Sequence, residues 1–262
     1  MSRMRFKLTI EYAGTRYSGW QIQKNARTIQ GEIDGALRGI GARDFELYGS
    51  GRTDAGVHAL AQVAHLDLDT SLPPETLRRQ VNDDLPSDIN ILRIEPVRHR
   101  FHARHDAVAR SYIYQLARRR TAFAKPFVWW VKDDLDVAAM RSLAGRFVGL
   151  HDFQSFSDDD PDEKSTEVLV EVGRGALPEA EAVAMLQERS PLPARLTAPA
   201  SGLFLERVYY EGDPRDRPVQ PAVIIPAVAA APPGASGSAE RRPPSPMRRG
   251  RGPGRPHARR RS

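Results

Sequence analysis

Phe6, Leu8, Ile10 and Tyr12 recur at every second position, and only a β-strand with one buried face gathers such a set on one side. The period then changes. Thr28 stands where a helix N-cap belongs, Ile29, Ile33, Leu37 and Ile40 follow on one helical stripe, and Gly39 or Gly41 can end the helix. Phe45 to Tyr48 and Gln62 to Leu68 return to strand patterns, Pro73-Pro74 opens a second helix near Glu75 to Val81, and Ile89 to Val97 reads as a returning strand. That order, β-α-β-β-α-β, is a recurrent α+β lobe.

A second series begins near residue 105. Ala107 to Leu116 reads as a strand, Asp136 to Phe147 as a helix with Val137, Met140, Leu143, Ala144 and Phe147 inward, and Ser165 to Val172 as another strand. From Gly212 the chain turns to Pro, Ala, Gly, Ser and Arg, a composition that cannot bury a core, so residues 213–262 are expected to form a disordered tail. The expected division is 1–104, 105–212 and this tail. The tail also decides how the net charge of +6 is read: residues 241–262 hold nine Arg and no acid, leaving 30 bases against 33 acids in the rest. A nucleic-acid face on the folded part must therefore come from local clusters, such as Arg98, Arg100, Arg104 and Arg110, or Arg118 to Arg120. The chain has no cysteine, which excludes disulfides and thiolate chemistry. With no apolar run of membrane-spanning length and no signal-peptide core after Met1, no membrane association is expected and a cytoplasmic location is.

Between the second and third strands of the first series lies Gly49-Ser-Gly-Arg-Thr-Asp-Ala-Gly-Val-His-Ala59, which sets one carboxylate, Asp54, among glycines and small residues. Taken alone, Asp-Ala-Gly is a polar turn with a capping Asp; the glycines also allow a ligand close to the backbone, and Arg52 can keep the carboxylate ionised. A dinucleotide site would need a helix after Gly49-x-Gly51, and a phosphate loop would need Gly-Lys-Ser/Thr; neither is present. His99, His102 and His105 are three apart, but without a spaced carboxylate they point to RNA contact or simple exposure rather than to a metal.

The whole string Gly51-Arg-Thr-Asp-Ala-Gly-Val-His-Ala59 resembles the active-site motif of the TruA family of tRNA pseudouridine synthases. Glu11 to Gln21, Asn82 to Pro86, Phe101-His-Ala-Arg104, Ala109 to Tyr114, Asp152 to Phe156 and Ala198 to Leu203 match in the same order, out to about residue 212. The resemblance implies two ferredoxin-like lobes whose antiparallel sheets meet at a catalytic cleft, a homodimer, a tRNA partner, and conversion of uridine to pseudouridine at positions 38–40 of the anticodon stem-loop. The implied reaction breaks C1′–N1, turns the uracil and joins C1′ to C5, so no cofactor and no metal is expected. Asp54 would attack C1′ or remove its neighbouring proton, and later take the C5 proton. Tyr112 matches the substrate-contacting tyrosine, Leu203 the leucine that packs beside the base, and Arg52 would hold a phosphate or fill the vacated stack.

The likeness breaks between Val170 and Gly173. Members of the family have a strand there, then an apolar helix with a Met-Val-Arg-like run whose arginine sits against the catalytic Asp; none of the five methionines begins such a run. Glu171-Val-Gly-Arg-Gly175 resembles the segment after that helix, so the second lobe is expected to be short by about 30 residues, the size of a supersecondary unit. The rival reading is a catalytically impaired descendant that still binds RNA.

Overall fold

The computed structural model describes residues 3–151, 168–188, 190, 192, 196 and 198–225. In β1, Met4–Tyr12, the alternation becomes burial: Phe6, Leu8, Ile10 and Tyr12 are buried while their neighbours are partly open. α1, Ile29–Gly39, is capped as its sequence asks, with the Gly31 N–H donating to Thr28 Oγ1 at 3.2 Å, and it closes through Gly41 at φ +92°. β2 is Phe45–Gly49, β3 His58–Leu68, α2 Pro74–Asp84 and β4 Ile89–Val97. The strands run β4-β1-β3-β2, all neighbours antiparallel. Leu8 opposite Ala64 and Phe6 opposite Leu66 share the face that packs against Ile29, Ile33 and Leu37 of α1 and Leu77 and Val81 of α2.

On the other face, Arg5 grips Asp67 with two hydrogen bonds and donates a third, of 2.9 Å, to the Phe101 carbonyl. The segment after β4 is thereby tied onto the sheet. The Arg5 guanidinium holds the Asp67 carboxyl below its usual range.

The second series supplies β5, Ala109–Tyr114, and β8, Leu203–Tyr209, an antiparallel pair. β8 also runs parallel to the start of β3, with His58 beside Phe204 and Ala59 beside Leu205, so both groups of strands belong to one mixed sheet of six strands. The α+β class is as expected, and the antiparallel groups meet at a parallel seam. β6, Leu116–Ala117, and β7, Trp129–Trp130, make a small parallel pair outside this sheet.

Three expectations for the second half are corrected. Residues 168–173 (α4) are helical where a strand over Ser165 to Val172 is expected; 165–167 lie outside the described residues. Val-Leu-Val-Glu-Val alternates like a strand, but Val168 and Val172, one helical turn apart, both pack in the cluster of Leu143, Ala182 and Met185. α3, Val137–Arg146, forms with Asp136 as its cap, yet of the five residues expected inward only Leu143 is buried, while Val137 is 42% exposed and Ala144 also faces solvent. α5, Glu179–Ala184, follows. Residues 213–225, grouped with the tail from composition, are held to the body at their end: Val223 exchanges hydrogen bonds of 2.7 and 3.1 Å with the Gln115 amide, and Val223 and Ile225 pack against Ala117, Ala124 and Val128. The remaining tail, 226–262, and the Asp152 to Phe156 motif lie outside the described residues.

Among the described residues, no strand pairs with the second edge of β5.

Candidate active site

The loop that carries Asp54 enters β3 at His58, the residue where β8 joins it, so the carboxylate is displayed at the seam of the sheet. Asp54 is exposed; Thr53 and Val57 on either side are buried. Neighbouring backbone holds the loop: the Trp20 N–H donates to the Thr53 carbonyl at 2.9 Å, the Gly56 N–H to the Tyr17 carbonyl at 3.2 Å, and the Val57 N–H closes the turn onto the Asp54 carbonyl at 3.2 Å. This contact needs two glycines. A Cβ on Gly14 would stand 1.9 Å from the Val57 carbonyl oxygen, and Gly56 takes φ +84°, which side chains resist.

Side chains lock the loop from both ends. At its start, Ser50 Oγ donates to the buried Gln62 Oε1 at 2.7 Å, Gln62 Nε2 donates to the Gly51 carbonyl at 3.2 Å, and Arg110 Nη2 donates to the Ser50 carbonyl at 2.5 Å. Next to Asp54, the Thr53 hydroxyl is 2.8 Å from the buried Tyr12 hydroxyl. Burial raises the Tyr12 phenol well above its ordinary range, and the neighbouring Tyr112 adds to that effect. At the end of the loop, His58 Nδ1 accepts the Gly14 N–H at 3.1 Å, which leaves its Nε2–H to be donated to the Pro126 carbonyl at 3.0 Å. Its ring stacks on Phe204 with centroids 4.7 Å apart.

Of the residues singled out in the sequence, Arg52 is exposed in a groove beside the loop together with Arg104 and Arg110. Tyr112 lies on β5 and is 38% exposed. Leu203 is buried at the start of β8, paired with Tyr114, and follows the turn Ala200–Gly202, whose Ala200 Cβ would be 3.2 Å from a Cβ on Gly56. These elements all converge on the one loop. Arg98 and Arg100 line a different cavity, with Pro96, Phe101 and Asp106. The Arg174 guanidinium forms ion pairs with Asp133 and Glu171 and stands over Trp129. His102 Nδ1 accepts the N–H groups of Arg104 and His105, and among the described residues no three His, Asp or Glu side chains are grouped as metal ligands. Sequence reasoning found no role for His58, Gln62 or Trp20. The positions of His58 inside the loop motif and of Trp20 inside the matching stretch Glu11 to Gln21 were the available hints.

Burial pushes His58 down to about 4, and burial with the nearby Arg5 guanidinium does the same to His65, whose Nδ1 accepts the Ala103 N–H at 3.2 Å. Both values lie below the ordinary 6.5, so as pH falls the unfolded chain takes up protons first. The urea midpoint should therefore be level above pH 6.5 and fall between 6.5 and about 4, each histidine adding at most about 1.4 kcal/mol per pH unit. His65→Gln should flatten that fall. A midpoint that does not move across this window would contradict the neutral, buried state of both rings.

A family model described as tRNA pseudouridine synthase matches residues 8–106, the stretch that contains the Asp54 loop. Over 244 residues the chain is 38% identical to tRNA pseudouridine synthase A of Rhodopseudomonas palustris (strain BisA53), covering 79% of this chain and 99% of the relative. The enzyme of the same name from Nitrobacter winogradskyi is 38% identical over 245 residues, 79% of this chain and 96% of its own. That of Levilactobacillus brevis is 31% identical over 257 residues, 82% and 97%. In the first comparison, 79% of this chain is about 207 residues, so about 37 of the 244 aligned positions have no counterpart here.

Proposed function

The chain belongs to the tRNA pseudouridine synthase family, and from that premise we propose that it isomerises uridine to pseudouridine at positions 38–40 of the tRNA anticodon stem-loop, with Asp54 as nucleophile or base. The observation that carries the reading is the Asp54 loop: an exposed carboxylate on a backbone fixed at both ends by Gln62, Arg110, Thr53 and His58, at the seam of the sheet. A rigid support of this kind is what chemistry at one sugar carbon requires.

In this reading the target uridine leaves the RNA stack, which costs a few kcal/mol, and Tyr112 receives it. Asp54 attacks C1′ or removes the neighbouring proton as the C1′–N1 bond breaks. The uracil turns, C5 bonds to C1′, Asp54 is released from C1′ or returns the sugar proton it took, and the proton leaves C5 while N1 gains one. Arg52 holds a phosphate or takes the vacated place in the stack, and Leu203 packs beside the base. A cytoplasmic homodimer, with lobes 1–104 and 105–212 about the Asp54 seam, completes the proposal. Tyr112 supplies its test: Tyr112→Phe should keep turnover of unmodified tRNA within about threefold, whereas Tyr112→Ala should lose about 10- to 100-fold, the worth of a base–aromatic stack. Equal losses in the two variants would remove Tyr112 from the stacking role.

The missing 37 or so positions favour a second reading, a descendant that binds tRNA with impaired chemistry. Because 168–173 are helical and run into Gly-Arg-Gly, we place the break ahead of Val168 rather than at 170–173, with α4 as the remaining end of the family's apolar helix.

A further inference from the structure

Beside the Asp54 loop is a groove of about 720 Å³, most of whose lining the isomerisation does not call on. Part of its lining is cationic: Arg52, Arg104 and Arg110, all exposed, and among the described residues no Asp or Glu lines it. The nearby Asp106 carboxylate is turned to the His102 N–H, at 2.9 Å. Since residues 1–240 carry more acids than bases, three arginines without a carboxylate are a local concentration rather than an average property of the surface.

Against the groove stands a column of rings, of which Tyr48, His102 and His105 also line it. Tyr48 and His65 face each other across β2 and β3, stacked with centroids 5.3 Å apart at 18°; His102 leans on His65 at 4.7 Å, and His105 on His102 at 4.1 Å. Tyr48 is 51% exposed, so part of its ring is open to a guest. The column is held by backbone, through the N–H of Ala103 on His65 and those of Arg104 and His105 on His102. Burial first, then neighbouring cationic groups including Arg5, keep His65 and His102 below their ordinary value, so these two rings stack as neutral imidazoles. Neutral rings and guanidinium groups lining one groove match the two parts of a nucleotide, its base and its phosphodiester.

We propose that this groove is a second nucleotide subsite: it stacks the base of an unpaired RNA nucleotide flanking the target on Tyr48 and His102, while Arg104 and Arg110, with Arg52 between the two sites, hold the adjoining phosphodiester. The proposal rests on the reading of the substrate as RNA. It does not depend on the chemistry at Asp54.

The test measures affinity of the full chain for a labelled, unmodified anticodon stem-loop RNA, with every protein carrying Asp54→Asn so that binding is read apart from turnover. Tyr48→Ala should weaken binding about tenfold, and Tyr48→Phe should restore it to within about twofold. Arg104→Gln should weaken binding and lower the slope of log affinity against log salt by about one. Thermal melts of each variant identify a loss that comes from folding, and the Tyr48→Phe comparison stands apart from it. Unchanged affinity in Tyr48→Ala would overturn the stacked base, and an unchanged salt slope in Arg104→Gln would overturn the phosphate contact. If the unsubstituted chain makes no pseudouridine while these affinities behave as stated, the isomerase reading fails and the subsite stands.

Discussion

Asp54→Asn should abolish pseudouridine formation, with a loss of at least about 10³-fold in single-turnover rate, while tRNA affinity stays within a few-fold. The amide keeps the size and polarity of the side chain but cannot act as nucleophile or base. The bonds through which Gln62, Arg110, Thr53 and His58 hold the loop do not involve the Asp54 side chain, so these remain in the variant. Substantial turnover by the amide, measured with enzyme in excess over RNA, would end the claim that this carboxylate does the chemistry. Weakened binding together with lost turnover would instead show that Asp54 serves to hold tRNA.

The second large effect concerns what the chain lacks. Compared with the Rhodopseudomonas palustris relative, about 37 aligned positions are missing, and the second half shows where the loss is felt. No described strand covers the second edge of β5, and Val137, Val148 and Leu150 are exposed at 42%, 78% and 104%. β5 and β8 also carry Arg110, Tyr112 and Leu203, so a looser second half moves the walls around Asp54. A displacement of about 1 Å at a reacting centre costs about 10²-fold. This chain should therefore unfold at lower urea than the relative and turn over unmodified tRNA about 10²-fold more slowly. Grafting the relative's extra segment ahead of Val168 should recover most of both. Equal turnover and equally cooperative unfolding in the two proteins would show that the shortened half is sufficient by itself.

The first half was legible in the sequence because its signals are local. The alternation of Phe6 to Tyr12, the Thr28 cap with its stripe, and Pro73-Pro74 before α2 each depend on neighbours a few residues away, and each element formed where it was read. The second half was harder to read for a physical reason: Val168 to Val172 fits a strand by period two and a helix by the pair one turn apart, and packing against Leu143 decides between them. The Asp54 loop could be found from its glycines and its motif, and Arg52, Tyr112 and Leu203 from the resemblance. Its supports could not. The Arg110 bond to Ser50 spans 60 residues and the His58 bond to Pro126 spans 68, and no local pattern encodes either. The ring column of Tyr48, His65 and His102 likewise arises from strand register and a segment tied down by Arg5.

The most direct measurement is to incubate the unsubstituted 262-residue chain in excess with unmodified tRNA and map pseudouridine nucleotide by nucleotide. Pseudouridine appearing at positions 38–40, slowly and only while Asp54 is intact, is the result this account predicts. Tight tRNA binding with no pseudouridine at any position would contradict it and leave the impaired RNA-binding descendant as the description of this chain.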